Sequence, residues 1–337
     1  VSGAAVSGAA ALRLHWRSFR FALPQALVTA HGALTERRGW LLRLEGGDGA
    51  LGWGEAAPLS VGLAAARAAA AVPAHPAALG LSSGTWPRSV LEERLPALPP
   101  AFAFALGLAL AELDGLGGAA SGGGWFPPPP SALLLPAGLA GVEALRAALA
   151  VGPPPPAVKW KVASQADAVE RQALEALLPL LPAPCRLRLD ANGGWDRPTA
   201  TAWAERLAGE ARLEWLEQPL PAADHQGLRA LAQRLPVALD ESLRSEVGPP
   251  PGWSGWQVRR PALEGDPRPL LAALAAGAPR WMISTALETG IGWRLVAHAA
   301  ALQQRGPTPT APGLAPGWRP QGGLFADDPA QVWEAAL

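Results

Sequence analysis

Over about residues 12–57 apolar and polar positions alternate with period two: one run at 12–21, then 40–45 and 50–55 joined by Gly46-Gly47-Asp48-Gly49. Strand side chains alternate faces, so this pattern predicts antiparallel strands with a hairpin. Gly47, Gly49 and Gly52 match G-x-G-x-x-G, but a strand follows them instead of a helix, so we read a turn and not a dinucleotide site. Ala-rich helical stretches come next, at 64–71 and 102–116. The most apolar window, 101–111, is too short to span a bilayer and runs into Glu112 and Asp114, which predicts a buried helix. Residues 117–130, rich in Gly, Ser and Pro, read as a linker that closes a small α+β domain.

Beyond the linker, short apolar runs at 132–135, 157–162, 186–190, 212–217, 237–240, 256–260 and 281–285 alternate with Ala/Leu-rich helical stretches. Strands alternating with helices predict a parallel sheet, and the absence of a Gly-rich phosphate loop after the first strand favours a closed barrel over an open doubly wound sheet. The expected architecture is α/β: a TIM-type (β/α)7β barrel over 126–315, an α+β domain over 1–125, and a tail at about 316–337 that returns to the smaller domain. Residues 308–314 are the candidate eighth strand or its surrogate.

The length of 337 residues suits a large domain plus a smaller one. Zero formal net charge leaves no electrostatic footprint for nucleic acid or an anionic membrane. The single cysteine, Cys185, forms no intramolecular disulfide, which fits a reducing cytoplasm. Residues 1–11 lack the basic start and apolar run of a signal peptide and read as a loose tail. Gly, Ala, Pro, Arg and Trp are abundant while Tyr is absent, the composition of a G+C-rich genome. Against it, scarce residues inform: the chain has two lysines, Lys159 and Lys161, and one asparagine, Asn192. Arginine serves at every other basic position, so these two point to a need for an amine that can lose its proton.

Strand ends carry Lys159 and Lys161, then Asp190, Glu217 and Asp240. TIM barrels build their active sites at the C-terminal strand ends, and the acids follow Lys161 at roughly one βα unit each, so the three should converge. Carboxylates without histidine or cysteine make an all-oxygen site suited to Mg²⁺ or Mn²⁺ and not to Zn²⁺. Each acid alone could equally be a helix N-cap or a surface charge; three in succession opposite the only lysines argue for a site. Lys159 and Lys161 point the same way from their strand and Trp160 the other. Two adjacent ammoniums disfavour each other's charge, so one should have a lowered pKa and act as a base. The alternative, a lysine pair on an exposed edge, fits poorly with flanking Val158 and Val162.

The segments AVKWKV (157–162), LRLDANGGW (187–195), WLEQPL (215–220), ALDES (238–242) and STALETGIG (284–292) resemble, in order and spacing, the barrel motifs of the enolase superfamily, and within it the o-succinylbenzoate synthase family. GWGEAAPL (52–59) resembles the segment closing that superfamily's capping domain, and the 101–116 helix the one leading into its barrel. The resemblance implies metal-stabilised proton abstraction next to a carboxylate. It makes Lys161 the base, Lys159 a flanking cation on the substrate carboxylate, and Asp190, Glu217 and Asp240 the Mg²⁺ (or Mn²⁺) ligands that stabilise an enediolate. Ser284 is carried over as a substrate contact. Asn192 either orients a ligand or substrate oxygen or is a turn residue. Glu288 and His298 are read as structural.

One position departs from the family: where it has lysine before proline on the sixth strand, this chain has Arg260-Pro261. Arginine cannot accept a proton, which disfavours two-faced epimerases and racemases. A syn dehydration needs one lysine on one face and only a fixed cation opposite. The expected reaction is loss of water from 2-succinyl-6-hydroxy-2,4-cyclohexadiene-1-carboxylate to give 2-succinylbenzoate, in menaquinone or phylloquinone biosynthesis, in the cytoplasm. The partner is a small-molecule dicarboxylate, with no nucleic acid and no membrane insertion. The alternatives are a dipeptide or N-acylamino acid epimerase or racemase, a muconate-type cycloisomerase, or a non-catalytic dicarboxylate-binding barrel.

Overall fold

The computed structural model describes residues 11–29, 32–59, 75–117 and 124–337. The tail at 1–10, the helical stretch expected at 64–71 and the linker centre at 118–123 lie outside the described residues.

Strands β1 (Ala11–Thr29), β2 (Gly32–Glu45), β3 (Leu51–Ala56) and β4 (Gly84–Pro87) form an antiparallel sheet in the order β3-β2-β1-β4. β2 and β3 are joined by the expected tight turn, closed by Gly46 N–H donating to Ala50 O at 2.8 Å. Gly49 takes φ +82° there, which glycine adopts without steric cost. β1 and β2 run further than alternation alone indicates. A register shift between Ala22 and Leu27, next to Pro24, breaks the period while the ribbon continues. Its far end carries Leu27 and Leu34 to the mouth of the barrel.

Helix α1 (Arg88–Arg94) leads to α2 (Pro100–Leu113), in which every residue from Ala101 to Ala111 is buried. A helix apolar all round must be covered on all sides. β3 covers one side so closely that a Cβ at Gly52 or Gly54 would collide with the carbonyls of Ala109 and Ala105. Gly52 of the nucleotide-like pattern thus serves helix–strand packing.

The second sheet is parallel: β5 (Leu133–Leu135), β6 (Ala157–Lys161), β7 (Arg186–Asp190), β8 (Leu213–Glu217), β9 (Val237–Leu239), β10 (Trp256–Arg259) and β11 (Trp281–Ile283), each beside its predecessor. Around it lie α3 (Leu139–Val151), α4 (Asp167–Leu177), α5 (Arg197–Leu207), α6 (His225–Ala232), α7 (Pro267–Ala275) and α8 (Gly290–Gln304). The segment around residues 310–314 fills the gap between β11 and β5. Gly313 N–H donates to Ile283 O (2.8 Å), Thr285 N–H to Gly313 O (3.0 Å) and Ala132 N–H to Pro312 O (2.9 Å). Prolines 307, 309 and 312 lack ladder donors, so this eighth stave is a surrogate with one isolated bridge, Ser284 to Gly313.

Inside the ring, register sets the layers. Lys159 pairs with Arg188, Lys161 with Asp190, and Asp190 with Glu217, so these side chains share the interior face. Trp160, facing out, is fully buried beneath the helices. Trp215, Ala238, Val258 and Met282 form a dry floor. The C-terminal helix α9 (Pro329–Glu334) lies against the antiparallel sheet: Trp333 packs on Trp53 at 5.8 Å, and Leu337 N–H donates to Ser18 O at 2.9 Å.

Candidate active site

A cavity opens at the C-terminal ends of the barrel strands. Lys159, Lys161, Arg260, Ser284 and Thr285 line its polar side, and Leu27, Leu34 and Leu59 reach it from the antiparallel sheet and the residues just after β3. β6 and β10 are the second and sixth staves of an eight-stave ring, so the lysines and Arg260 stand on opposite sides.

Asp190, Glu217 and Asp240 are all buried at this end of the barrel. Lys159 Nζ bridges two of them, 2.8 Å from Asp190 Oδ2 and 2.5 Å from Glu217 Oε1. Lys161 Nζ lies 2.6 Å from Asp190 Oδ2 and donates to Asn192 Oδ1 at 2.9 Å. Asp240 is held by two guanidiniums: Arg244 Nη2 at 2.6 Å from Oδ1 and Arg260 Nη2 at 2.8 Å from Oδ2. Arg260 also donates to the Thr285 carbonyl.

These contacts set the ionisation. Burial would raise the Asp190 carboxyl, but Lys159 and Lys161 outweigh it and hold it low. Asp240 behaves likewise beneath Arg244 and Arg260. Glu217, buried and repelled by Asp190, is pushed up to about 7. Burial would lower the Lys159 ammonium, yet Asp190 and Glu217 leave it raised. At Lys159 the acids thus outweigh both burial and the opposing charge of Arg260.

The donor set fits a magnesium ion. It is all carboxylate oxygen, Glu217 Oε2 is buried without a hydrogen-bond partner, and the Lys159 ammonium already bridges two of the acids as a cation would. Among the described residues no three acid, histidine or cysteine side chains form a ready-made cage.

Asn192 is buried two residues beyond β7. It sits in a left-handed turn (φ +47°), its N–H donates to Asp190 Oδ1 at 3.0 Å, and its side chain joins Lys161 to Glu241, donating to Glu241 Oε1 at 3.0 Å. Ser284 lines the cavity and donates to Gly313 O at 3.2 Å. Glu288 is buried and accepts from Ala286 N–H at 2.6 Å, and His298 Nδ1 accepts from Phe126 N–H at 3.2 Å.

Sequence reasoning missed several neighbours. Glu241, half-buried beside Asp240 and Asp190, is pushed up to about 7 by desolvation and those two acids. Gln218 Oε1 accepts from the backbone of Asp240 (3.1 Å) and Ser242 (3.0 Å), fixing the β9 end against the β8 end. Arg244 is one turn beyond Asp240. Their closeness in sequence to the candidate ligands is the available signal; periodicity says nothing of side chains on turns.

Residues 142–248 match the family model described as "Enolase C-terminal domain-like". The o-succinylbenzoate synthase of Thermosynechococcus vestitus is 35% identical over 85% of this chain and 88% of that protein. The chain belongs to the o-succinylbenzoate synthase family. Membership places it among the enolase-superfamily hydro-lyases. The enzyme of that name from Enterobacter sp. (strain 638) is 30% identical over 84% of this chain and 85% of its own length. The crystal structure of the Thermosynechococcus synthase, complexed with Mg in its active site, superposes with a TM-score of 0.72 at 32% identity, covering 96% of this chain and 99% of that one. An L-Ala-D/L-Glu epimerase from Bacillus subtilis, at 20% identity and a TM-score of 0.68, shares the fold.

Proposed function

We propose that the chain dehydrates 2-succinyl-6-hydroxy-2,4-cyclohexadiene-1-carboxylate to 2-succinylbenzoate, with Lys161 as acid and base. Lys161 takes the proton from the ring carbon that bears the carboxylate. The electron pair of that C–H bond first delocalises into the adjacent carboxylate, then returns to form the new ring double bond as the C–O bond to the hydroxyl breaks on the same face. Lys161 returns the proton to the departing oxygen, so water leaves, the ring becomes aromatic and the amine is restored. Lys161 accepts that proton as a free amine.

Asp190, Glu217 and Asp240 would hold Mg²⁺, which supplies Lewis-acid stabilisation of the substrate carboxylate as charge builds on it. Lys159 neutralises that same region from beside Lys161. Arg260, fixed opposite, contributes positive charge without proton transfer. Asn192 orients Lys161, and Ser284 contacts substrate at the cavity wall.

The observation that carries this reading is the asymmetry of the cavity: two amines on one wall and a guanidinium, tied to Asp240 and Thr285, on the other. Epimerisation needs acid–base groups on both faces; a syn elimination needs one. The division into a capping domain (1–125 with the tail from about 316) and a barrel (126–315) assigns substrate enclosure to the first and chemistry to the second. A cytoplasmic location is supported by the free, buried Cys185, and the lack of a nucleic-acid partner by zero net charge. Among the described residues no helix is long and apolar enough to cross a membrane.

Purified protein incubated with the cyclohexadiene substrate should release 2-succinylbenzoate with Mg²⁺ and not after chelation. Absence of product in both arms, with epimerisation of an N-acylamino acid instead, would overturn the assignment.

A further inference from the structure

We propose that Glu55, on β3 of the antiparallel sheet, is a positioning residue for the dehydration, acting as a brace on the 284–289 loop that lines the cavity and holds Arg260. The inference rests on the function above.

Glu55 is 1% exposed, and its carboxylate reaches out of its own sheet to the start of α8. Thr289 N–H donates to Oε1 at 3.1 Å and to Oε2 at 3.0 Å, the Thr289 hydroxyl to Oε2 at 2.6 Å, and Gly292 N–H to Oε2 at 3.0 Å. A carboxylate at a helix N-terminus satisfies donors that have no partner within the helix. A Cβ on Gly292 would lie 2.8 Å from Glu55 Oε2, so this glycine leaves the room the carboxylate occupies.

The braced residues continue straight into the site. Thr289 follows Glu288, whose carboxylate accepts from Ala286 N–H and from the Thr285 hydroxyl. Thr285 Oγ1 in turn accepts from Leu287 N–H at 2.7 Å, and Leu287 is held at φ +65°, a conformation that an unsupported leucine avoids. Thr285, Ala286 and Leu287 line the cavity, and the Thr285 carbonyl accepts from Arg260. A chain of buried contacts therefore runs from Glu55 to the cation opposite Lys161. Arg37 on β2 and Arg319 in the tail both interact electrostatically with the two carboxylates, and Arg37 itself donates to the carbonyls of Ala57 (2.7 Å) and Pro58 (2.8 Å). Those carbonyls lead to Leu59, another cavity residue.

The test is the kinetics of Glu55→Gln, which keeps the shape but removes the charge and puts an amide NH2 where Oε1 accepts from Thr289 N–H. At a temperature well below its unfolding midpoint, kcat/KM should fall about 100-fold, with kcat lowered through Arg260 and KM raised through the loop. Mg²⁺ affinity by calorimetry should stay within a few-fold of wild type. Amides of 285–289 should exchange faster with deuterium while those of β6–β8 do not. In the Glu55→Gln/Thr289→Val double variant the loss should not exceed that of the larger single variant, because both break one brace. Kinetics within twofold of wild type in Glu55→Gln, with only the unfolding midpoint lowered, would reduce Glu55 to a stability residue and overturn the proposal. A wild type inactive on this substrate would sink the assigned reaction instead. The exchange of 285–289 then decides the brace alone, faster exchange upholding it and unchanged exchange overturning it.

Discussion

Arg260 grips Asp240 with two nitrogens, Nε at 3.1 Å from Oδ1 and Nη2 at 2.8 Å from Oδ2, while a second guanidinium, that of Arg244, takes the same carboxylate from the other side. With Asp240 adding the largest favourable contribution, the Arg260 guanidinium is held even further above neutrality than arginine ordinarily is, despite burial. It is therefore a permanent charge. Arg260→Met should lower kcat/KM by about 10²–10³-fold, the usual effect of losing one charge-stabilising group. Arg260→Lys should recover most of that loss. Steady-state kinetics on both variants checks this, and equal damage from the two would show that shape and not charge is required.

Lys161 is the group whose loss should cost most. Lys161→Ala should reduce turnover about 10⁴-fold, the upper range for a positioned acid–base group. Mg²⁺ binding, measured by calorimetry, should persist because the three acids remain. Retained turnover would remove the lysine from the mechanism.

Magnesium should also act as a structural ligand. A group bound only by the folded state stabilises it by about 2.7 kcal/mol at a hundred times its dissociation constant. Thermal unfolding with Mg²⁺ and with chelator should differ accordingly, and Glu217→Gln should abolish the difference.

Arg188 is fully buried inside the barrel. It sits 2.6 Å from Glu214, donates to Thr310 Oγ1 (2.8 Å) and Ala311 O (2.7 Å), and lies 4.2 Å over the Trp215 ring. It thereby ties the surrogate eighth stave to the strands. Removing one partner of a buried pair costs roughly 3–5 kcal/mol, whereas replacing both by apolar groups costs far less. Urea unfolding should show this loss in Arg188→Met and substantial recovery in Arg188→Met/Glu214→Leu.

His298 stacks on Phe126 at 4.7 Å and accepts its N–H, so it is neutral where it packs. Burial, aided by Arg305, holds its pKa below the ordinary value. A depressed imidazole contributes stability that is complete above the unfolded pKa of about 6.5 and is lost as pH falls towards the folded value. Buried acids such as Glu112, raised to about 7 mainly by burial, have the opposite slope over the same range. The informative quantity is thus the difference between wild type and His298→Asn, which should shrink between pH 7 and pH 5 in denaturant titrations.

Much of this molecule is legible in the chain itself. The seven runs of the barrel match β5 to β11 to within a residue or two. Lys159, Lys161, Asp190, Glu217 and Asp240 stand out because scarcity and strand-end position pick them out together. What escaped is tertiary. Alternation could not show that the β1–β2 ribbon extends to the cavity through Leu27 and Leu34, since its outer half mixes polar and apolar residues around a register shift. Nor could any local pattern reveal that Glu55 and Thr289, 234 positions apart, share a hydrogen bond. The run Phe126-Pro127-Pro128-Pro129-Pro130 acquires a reason only in three dimensions: Phe126 is anchored on His298, and the prolines, without donors, carry the chain to Ser131 at the barrel seam.

The leucines that face the two lysines across the entrance make the cavity two-sided, greasy above and cationic below. A dicarboxylate entering such a slot meets opposite charge at one end and apolar surface at the other, so its charged groups are drawn toward the lysines and its ring carbons toward the leucines.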